Sequence, residues 1–345
     1  MHPDFDPRTV DATTVLARYP QLGPPCRLEA LGGAGGFSGA QLWRIETGHG
    51  LYCLRRWPLE HPTVERLQLI HAVLRHVGAS GLEFVPVPLL PTLSSSTFVS
   101  HASHLWEVAP WLPGKADYHA SPSRARLAAA FQALARFHVA AASFPVQSSG
   151  IAPAVLERRA RLAQLQHNKY EQIAAAVHRA PPSPLVDCGK SLLRLFPLLA
   201  PQVAERLNAV AQIALPLMPA IRDIWHDHVL FTGDDVTGII DFGALRIDTP
   251  LADIARLLGS LAGDDPAARD IALDHYHALR PLSDQDRWLI DILDFSGTLL
   301  AGFSWLEWLY LDRRDFGDLA VVRQRLEEIV ALLQRLGYNT VSPRL

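Results

Sequence analysis

Only three of the 32 basic residues are lysines, Lys115, Lys169 and Lys190, so the first 114 residues contain none. Any chemistry that needs a cation near the N-terminus must use arginine. Cysteine is equally scarce: Cys26, Cys53 and Cys188 stand far apart with no CxxC pair. That excludes a disulfide scaffold and a cysteine-based zinc site, and points to a reducing, cytoplasmic location. Strong charge is missing too. A net charge of −3 argues against a protein built to coat nucleic acid. The first dozen residues are polar and acidic and lack the apolar stretch of a secretory signal. The longest uncharged run, Phe84 to Trp106, holds three prolines and five serines, and Leu207 to Ile221 is short with two prolines. Neither suits a membrane helix, so no membrane partner is expected.

What remains is a chain of 345 residues, 49% apolar and 19% charged, able to bury a large core in two domains or one bilobal unit. Val10–Tyr19 reads as a short helix. Cys26–Leu31, Ala40–Thr47 and Leu51–Trp57 are short apolar stretches separated by glycine pairs, which predicts an antiparallel meander. Pro62 and Thr63 open a helix with Leu67, Ile70, Val73, Leu74 and Val77 at helical spacing. Strands are expected around Pro86–Leu93, Thr97–His101 and Leu105–Trp111, followed by an extended link over Pro110–Gly114. Beyond it the pattern is helical: Ser121–Ala142, Pro153–Arg179, Pro184–Ala214, then, after a β segment at about Ile221–Gly243, Leu251–Leu261, Pro266–Leu279, Asp284–Leu311 and Asp318–Leu336.

That β segment carries the chemistry. Gly233-Asp234-Asp235 marks a turn between two apolar strands, with His228 at the start of one and Asp241 at the end of the other. Asp223 stands five residues before His228 and eighteen before Asp241. One acid ahead of a hairpin and another leaving it suit phosphoryl transfer: one carboxylate accepts the proton of an attacking hydroxyl, and the other binds the cation that bridges the phosphates. Taken alone, Asp241-Phe242-Gly243 is also an ordinary strand end and turn. Asp315-Phe316-Gly317 repeats the tripeptide without a preceding apolar strand and is set aside. Gly189-Lys190-Ser191 ends like a Walker loop, but Pro184 occupies its first glycine position. His226-Asp227-His228 could hold a transition metal if a third ligand joined it. Trp305 and Trp308, at i and i+3, read as core.

The block from Asp223 through His228 to Asp241-Phe242-Gly243 resembles the aminoglycoside phosphotransferase-like family of the protein-kinase-like fold. Asp248-Thr249-Pro250-Leu251-Ala252-Asp253-Ile254-Ala255 and the helix end Ala133–His138 extend the likeness. The resemblance implies an α+β, bilobal fold: a small antiparallel β-sheet N-lobe, residues 1–109, and a larger, mainly helical C-lobe, residues 110–345. It implies Asp223 as catalytic aspartate, Asp241 as metal ligand and His228 in place of the metal-binding asparagine, with Asp253 steadying the catalytic loop. Gly35, Gly36, Phe37, Ser38 and Gly39 fall where the family covers the nucleotide phosphates, and glycine-rich backbone can cradle an anion. Adenine is expected on the backbone near Glu107–Ala109.

The chain departs from the family at four points. Arg55 stands where the family has a phosphate-gripping lysine. It keeps the charge, though an edge-strand arginine could equally face solvent. Glu65, the only acid in its helix, lies in the first turn, where the helix dipole already accounts for it. Histidine at 228 is a poor ligand for Mg²⁺, so the second metal is absent, bridged by water or Mn²⁺. Ile221-Arg222-Asp223 replaces His-Gly-Asp, and Arg222 either pairs with an acid or faces water.

The expected function is an ATP- and Mg²⁺-dependent phosphotransferase acting on a small-molecule hydroxyl. The alternative is a catalytically silent relative that binds a nucleotide or metabolite. Between Glu157 and Lys190 six basic residues outnumber three acids, which favours a neutral or anionic acceptor over a polycationic antibiotic.

Overall fold

The computed structural model describes residues 7–32, 39–92, 96–146 and 148–341. Two compact units emerge, one from residues 1–144 and 226–246, the other from 145–225 and 247–345.

The first unit opens with α1 (Pro7–Leu16) and then the expected meander of β1 (Pro25–Ala30), β2 (Gln41–Thr47) and β3 (Gly50–Arg56). After α2 (Val64–Gly78) come β4 (Val99–His101) and β5 (His104–Pro110). The sheet order is β1-β2-β3-β5-β4, with every pair antiparallel, so β3 is central. Alternation places Trp43, Ile45, Leu54, Trp106 and Val108 on one buried face, packed with Ala12, Val15 and Tyr19 from the α1 segment. The Thr63 hydroxyl accepts from the Arg66 N–H and caps α2, whose apolar stripe is buried as its spacing predicts. One polar residue, His71, lies in that stripe and is 1% exposed. The expected strand at Pro86–Leu93 does not form over its described residues, 86–92. Its three prolines remove N–H donors, and among the described residues Leu89 N–H donates to the Val108 carbonyl at 2.8 Å without a ladder forming. The segment after β5 leads to α3 (Arg124–Ala141), capped by Ser123.

The chain then builds much of the second unit: β6 (Ser148–Gly150), α4 (Pro153–Gln164), a π turn over Leu165–Lys169, α5 (Tyr170–Arg179), α6 (Pro184–Val210) and β7 (Leu215–Ala220). Gly189-Lys190-Ser191 is interior to α6, so it forms no phosphate loop. Strand β7 falls between the helix expected to end at Ala214 and the β segment expected from about Ile221, and forms despite Pro216 and Pro219. Next comes the predicted hairpin of the first unit, β8 (Val229–Thr232) and β9 (Asp235–Ile239), turning on Gly233 at φ +62°. Strand β10 (Arg246–Asp248) joins the sheet β10-β7-β6, and α7 (Leu251–Leu261), α8 (Pro266–His277), α9 (Asp284–Tyr310) and α10 (Leu319–Val341) follow.

Helix α9 is long and apolar enough to cross a membrane by length and composition, but 61% of its apolar window is buried inside the protein. It packs against α6, α7 and α10 and forms the core of its unit. The second DFG is a turn, with the Asp315 carboxylate accepting from the Gly317 N–H at 2.9 Å. Phe316 packs on Trp305 and Trp308, which are partly exposed rather than fully buried.

Candidate active site

In the first unit the residues singled out around the hairpin come together. Arg55, on central β3, is opposite Glu107 on β5, and directly opposed residues share a face. The Arg55 guanidinium reaches Glu107 Oε1 at 3.7 Å with Nε and Asp241 Oδ1 at 3.5 Å with Nη1, and lies 4.7 Å over the Trp57 ring. It is therefore not a solvent-facing edge residue. Burial works against its charge, but Glu107 and Asp241 outweigh that and hold the guanidinium above its ordinary range.

Asp241 lies two residues beyond β9 in a left-handed conformation, φ +60°, and caps a one-turn 3-10 helix, Phe242–Ala244. That turn is fixed from two sides. Phe242 packs on Phe137 of α3 at 5.7 Å, and Arg66 of α2 donates to the Gly243 carbonyl at 3.3 and 3.4 Å. The second carboxylate oxygen of Asp241 is 3.7 Å from His228 Nε2, at the end of the 3-10 turn His226–His228.

The missing partner acid of the helix is Glu107, from the sheet. Glu65 is exposed and bonds its own helix N-terminus, which with the Thr63 hydroxyl holds its carboxyl low. Helix α2 instead contributes His71, whose Nε2 is 2.5 Å from Glu107 Oε2 and whose Nδ1 is 2.6 Å from Thr97 Oγ1. Burial would raise the Glu107 carboxyl, but the His71 hydrogen bond and the charges of His71 and Arg55 keep it below its ordinary range. Sequence reading missed His71. Its signal was a single titratable residue four after Leu67 and three before Leu74, on the buried stripe.

The adenine expectation at Glu107 and Ala109 needs correction. Trp57 N–H donates to the Leu105 carbonyl at 2.9 Å and Trp111 N–H to that of Leu51 at 3.0 Å. Odd-numbered β5 residues therefore turn their backbone toward β3, and Glu107 and Ala109 are committed to that ladder. Of the proposed phosphate loop, Gly35, Gly36, Phe37 and Ser38 lie outside the described residues, whereas Gly39 has φ +72°.

Two carboxylate oxygens and one imidazole do not make a closed metal cage. Among the described residues no group of three or more His, Cys, Asp or Glu could hold a metal, which also removes the transition-metal reading of His226-Asp227-His228. The His226 ring is instead edge-on to His119, with centroids 4.3 Å apart. A hard cation that arrives on phosphates and keeps its waters needs only one protein carboxylate. Asp241 fits that role by its oxygen chemistry; His228 does not.

In the second unit the segment before the hairpin is held by an arginine and three acids. Arg222 has φ +74°, where the family pattern has glycine. A non-glycine residue there costs about 1–3 kcal/mol, and its side chain is bound tightly: Nη1 to Asp248 and Nη2 to Glu157 at 2.6 Å. Asp248 is fully buried and also accepts from the backbone of Ala154 and Thr249. Asp253, equally buried, receives the Ile221 and Arg222 N–H groups, both at 2.6 Å. These bonds are the loop-steadying the resemblance implied. Asp223 is half-exposed and pairs with Arg256 of α7 at 3.3 Å, an arginine that the sequence reading passed over. Part of the basic charge of α4 and of the π turn that follows it is spent locally, since Arg161 and Lys169 both bind Glu307.

Residues 30–289 match the phosphotransferase enzyme family (APH), and the chain belongs to that family. It is a small-molecule phosphotransferase with the protein-kinase-like fold. A homoserine kinase of Janthinobacterium sp. (strain Marseille) is 25% identical over 256 residues, covering 71% of this chain and 70% of that protein. Two solved structures share the fold at TM-score 0.59. The aminoglycoside phosphotransferase from Alicyclobacillus acidocaldarius subsp. acidocaldarius DSM 446 is 17% identical, with 98% of each chain covered. Amicoumacin kinase hAmiN, in complex with AMP-PNP, Ca²⁺ and Ami, is 14% identical, with 96% of each covered.

Proposed function

We propose that the protein transfers the γ-phosphoryl group of ATP to a hydroxyl of a small, neutral or anionic metabolite. The observation that carries this reading is the Arg55–Asp241 pair at 3.5 Å, a phosphate-seeking cation beside a carboxylate suited to a divalent ion. Arg55 would hold the phosphates with two N–H donors, a geometry that lysine does not offer. Asp241 would hold Mg²⁺, or Mn²⁺ where His228 also takes part. The ion, when bound, would neutralise charge on the transferring phosphoryl group. Asp223 would accept the hydroxyl proton as the oxygen attacks γ-phosphorus and the bond to ADP breaks, with Arg256 orienting its carboxylate. AMP-PNP bound to the amicoumacin kinase and the amino-acid alcohol named in the homoserine kinase support the nucleotide and the size of the acceptor.

The test is ATP turnover with homoserine, a small hydroxy acid, amicoumacin and an aminoglycoside. Asp223→Asn should lower kcat at least about a thousandfold while nucleotide affinity changes less than about threefold, the mark of a group used in the reaction step. Faster turnover of the aminoglycoside than of homoserine or the hydroxy acid would overturn the acceptor class. Unchanged kcat in Asp223→Asn would overturn the base.

A further inference from the structure

We propose that His71 is a positioning residue for nucleotide binding: it holds Glu107 so that Glu107 holds Arg55. The inference rests on the reading of Arg55 as the phosphate cation, and its test separates the two. The continuous path is His71 Nε2 to Glu107 Oε2 at 2.5 Å, Glu107 Oε1 to Arg55 Nε at 3.7 Å, and Arg55 Nη1 to Asp241 Oδ1 at 3.5 Å. A carboxylate only accepts hydrogen bonds, so His71 carries a proton on Nε2. The other ring nitrogen is fixed by Thr97 Oγ1 at 2.6 Å, and Phe98 meets the ring edge-on with centroids 6.2 Å apart. The ring therefore has little freedom to rotate away from Glu107.

The arrangement moves a negative charge from helix to strand. A guanidinium on β3 has its counter-charge fixed directly across the ladder, at Arg55↔Glu107. Helix α2 is left to supply a donor to that carboxylate instead of the carboxylate itself. Two carboxylates, Glu107 and Asp241, then act on one guanidinium, whose planar fork serves two partners better than an ammonium. Without His71, Glu107 would lose the donor that locks it on the Arg55 side, and Arg55 would sample orientations unsuited to phosphate.

The experiment is calorimetric titration of the full chain with Mg·AMP-PNP, which needs no acceptor, on His71→Leu, Arg55→Gln, the double variant and Thr97→Val. The outer partners of metal-ligating residues change affinity about 10–100-fold, and the low end of that range applies to a partner of a phosphate-binding arginine. His71→Leu should weaken binding about tenfold, Arg55→Gln at least as much, and the double variant no more than Arg55→Gln alone. Thr97→Val, a milder change should His71→Leu fail to fold, should weaken binding about threefold, again only when Arg55 is present. His71→Gln, which keeps a donor, should recover most of the loss. Fold-changes that multiply in the double variant, or a folded His71→Leu or Thr97→Val with unchanged affinity, would overturn the role of His71. Unchanged affinity in Arg55→Gln would instead overturn the reading of Arg55.

Discussion

Two arginines stand where the family pattern has other residues, and each unit uses its arginine differently. Arg55 replaces a lysine and keeps its charge within reach of two carboxylates, Glu107 and the partly exposed Asp241. Arg222 replaces a glycine and spends its charge on a fully buried aspartate, Asp248. The first leaves its charge beside a partly exposed carboxylate, as the proposed phosphate role requires; the second holds irregular backbone in place. On the proposed reading the same side chain serves a ligand in one unit and the fold in the other because of what surrounds it: a partly exposed carboxylate in the first case and a sealed one in the second.

The largest difference should appear in stability. Arg222→Ala leaves the Asp248 carboxylate buried without its cation, a defect worth about 3–5 kcal/mol in denaturant unfolding. Arg55→Ala should cost about 1 kcal/mol, because Glu107 keeps His71 and Asp241 can turn to water. Equal losses at the two positions would erase the distinction. Arginine-to-lysine exchange sharpens it. Arg55→Lys retains the charge but loses the fork, so nucleotide affinity should fall about tenfold with little loss of stability. Arg222→Lys, by contrast, leaves one ammonium that cannot serve Asp248 and Glu157 together, and should lose about 1–2 kcal/mol of stability. A smaller effect is expected at His228, whose ring faces Asp241. His228→Asn should raise the ratio of Mg²⁺- to Mn²⁺-supported turnover a few-fold, since an amide oxygen suits the harder ion. An unchanged ratio would remove His228 from the neighbourhood of the cation.

The parts of this account that were legible in the sequence are those carried by local spacing. The acid, hairpin and DFG run fixes Asp223, His228 and Asp241 in order, and the stripe of Leu67, Ile70, Val73, Leu74 and Val77 fixes the buried face of α2. What stayed hidden depends on pairing. Glu107 becomes the partner of Arg55 only through the β3–β5 register, and the same register commits the backbone of Glu107 and Ala109 to the ladder with β3. Pro86–Leu93 misled because alternating apolar residues mimic a strand, while its prolines lack the donors a ladder needs. Strand β7 is the opposite case: it forms despite its prolines, and its partners, β6 and β10, are only three residues long each and demand few bonds. The strain at Arg222 was foreshadowed by the glycine in the family pattern, but its remedy, Asp248 and Glu157, lies 26 and 65 residues away.

The most direct measurement compares Asp223→Asn with Asp241→Asn in paired titrations with Mg·AMP-PNP and assays of ATP turnover. The account predicts that both variants lose turnover but only Asp241→Asn loses the metal-dependent part of nucleotide affinity. Loss of that affinity in Asp223→Asn, with Asp241→Asn binding normally, would contradict it.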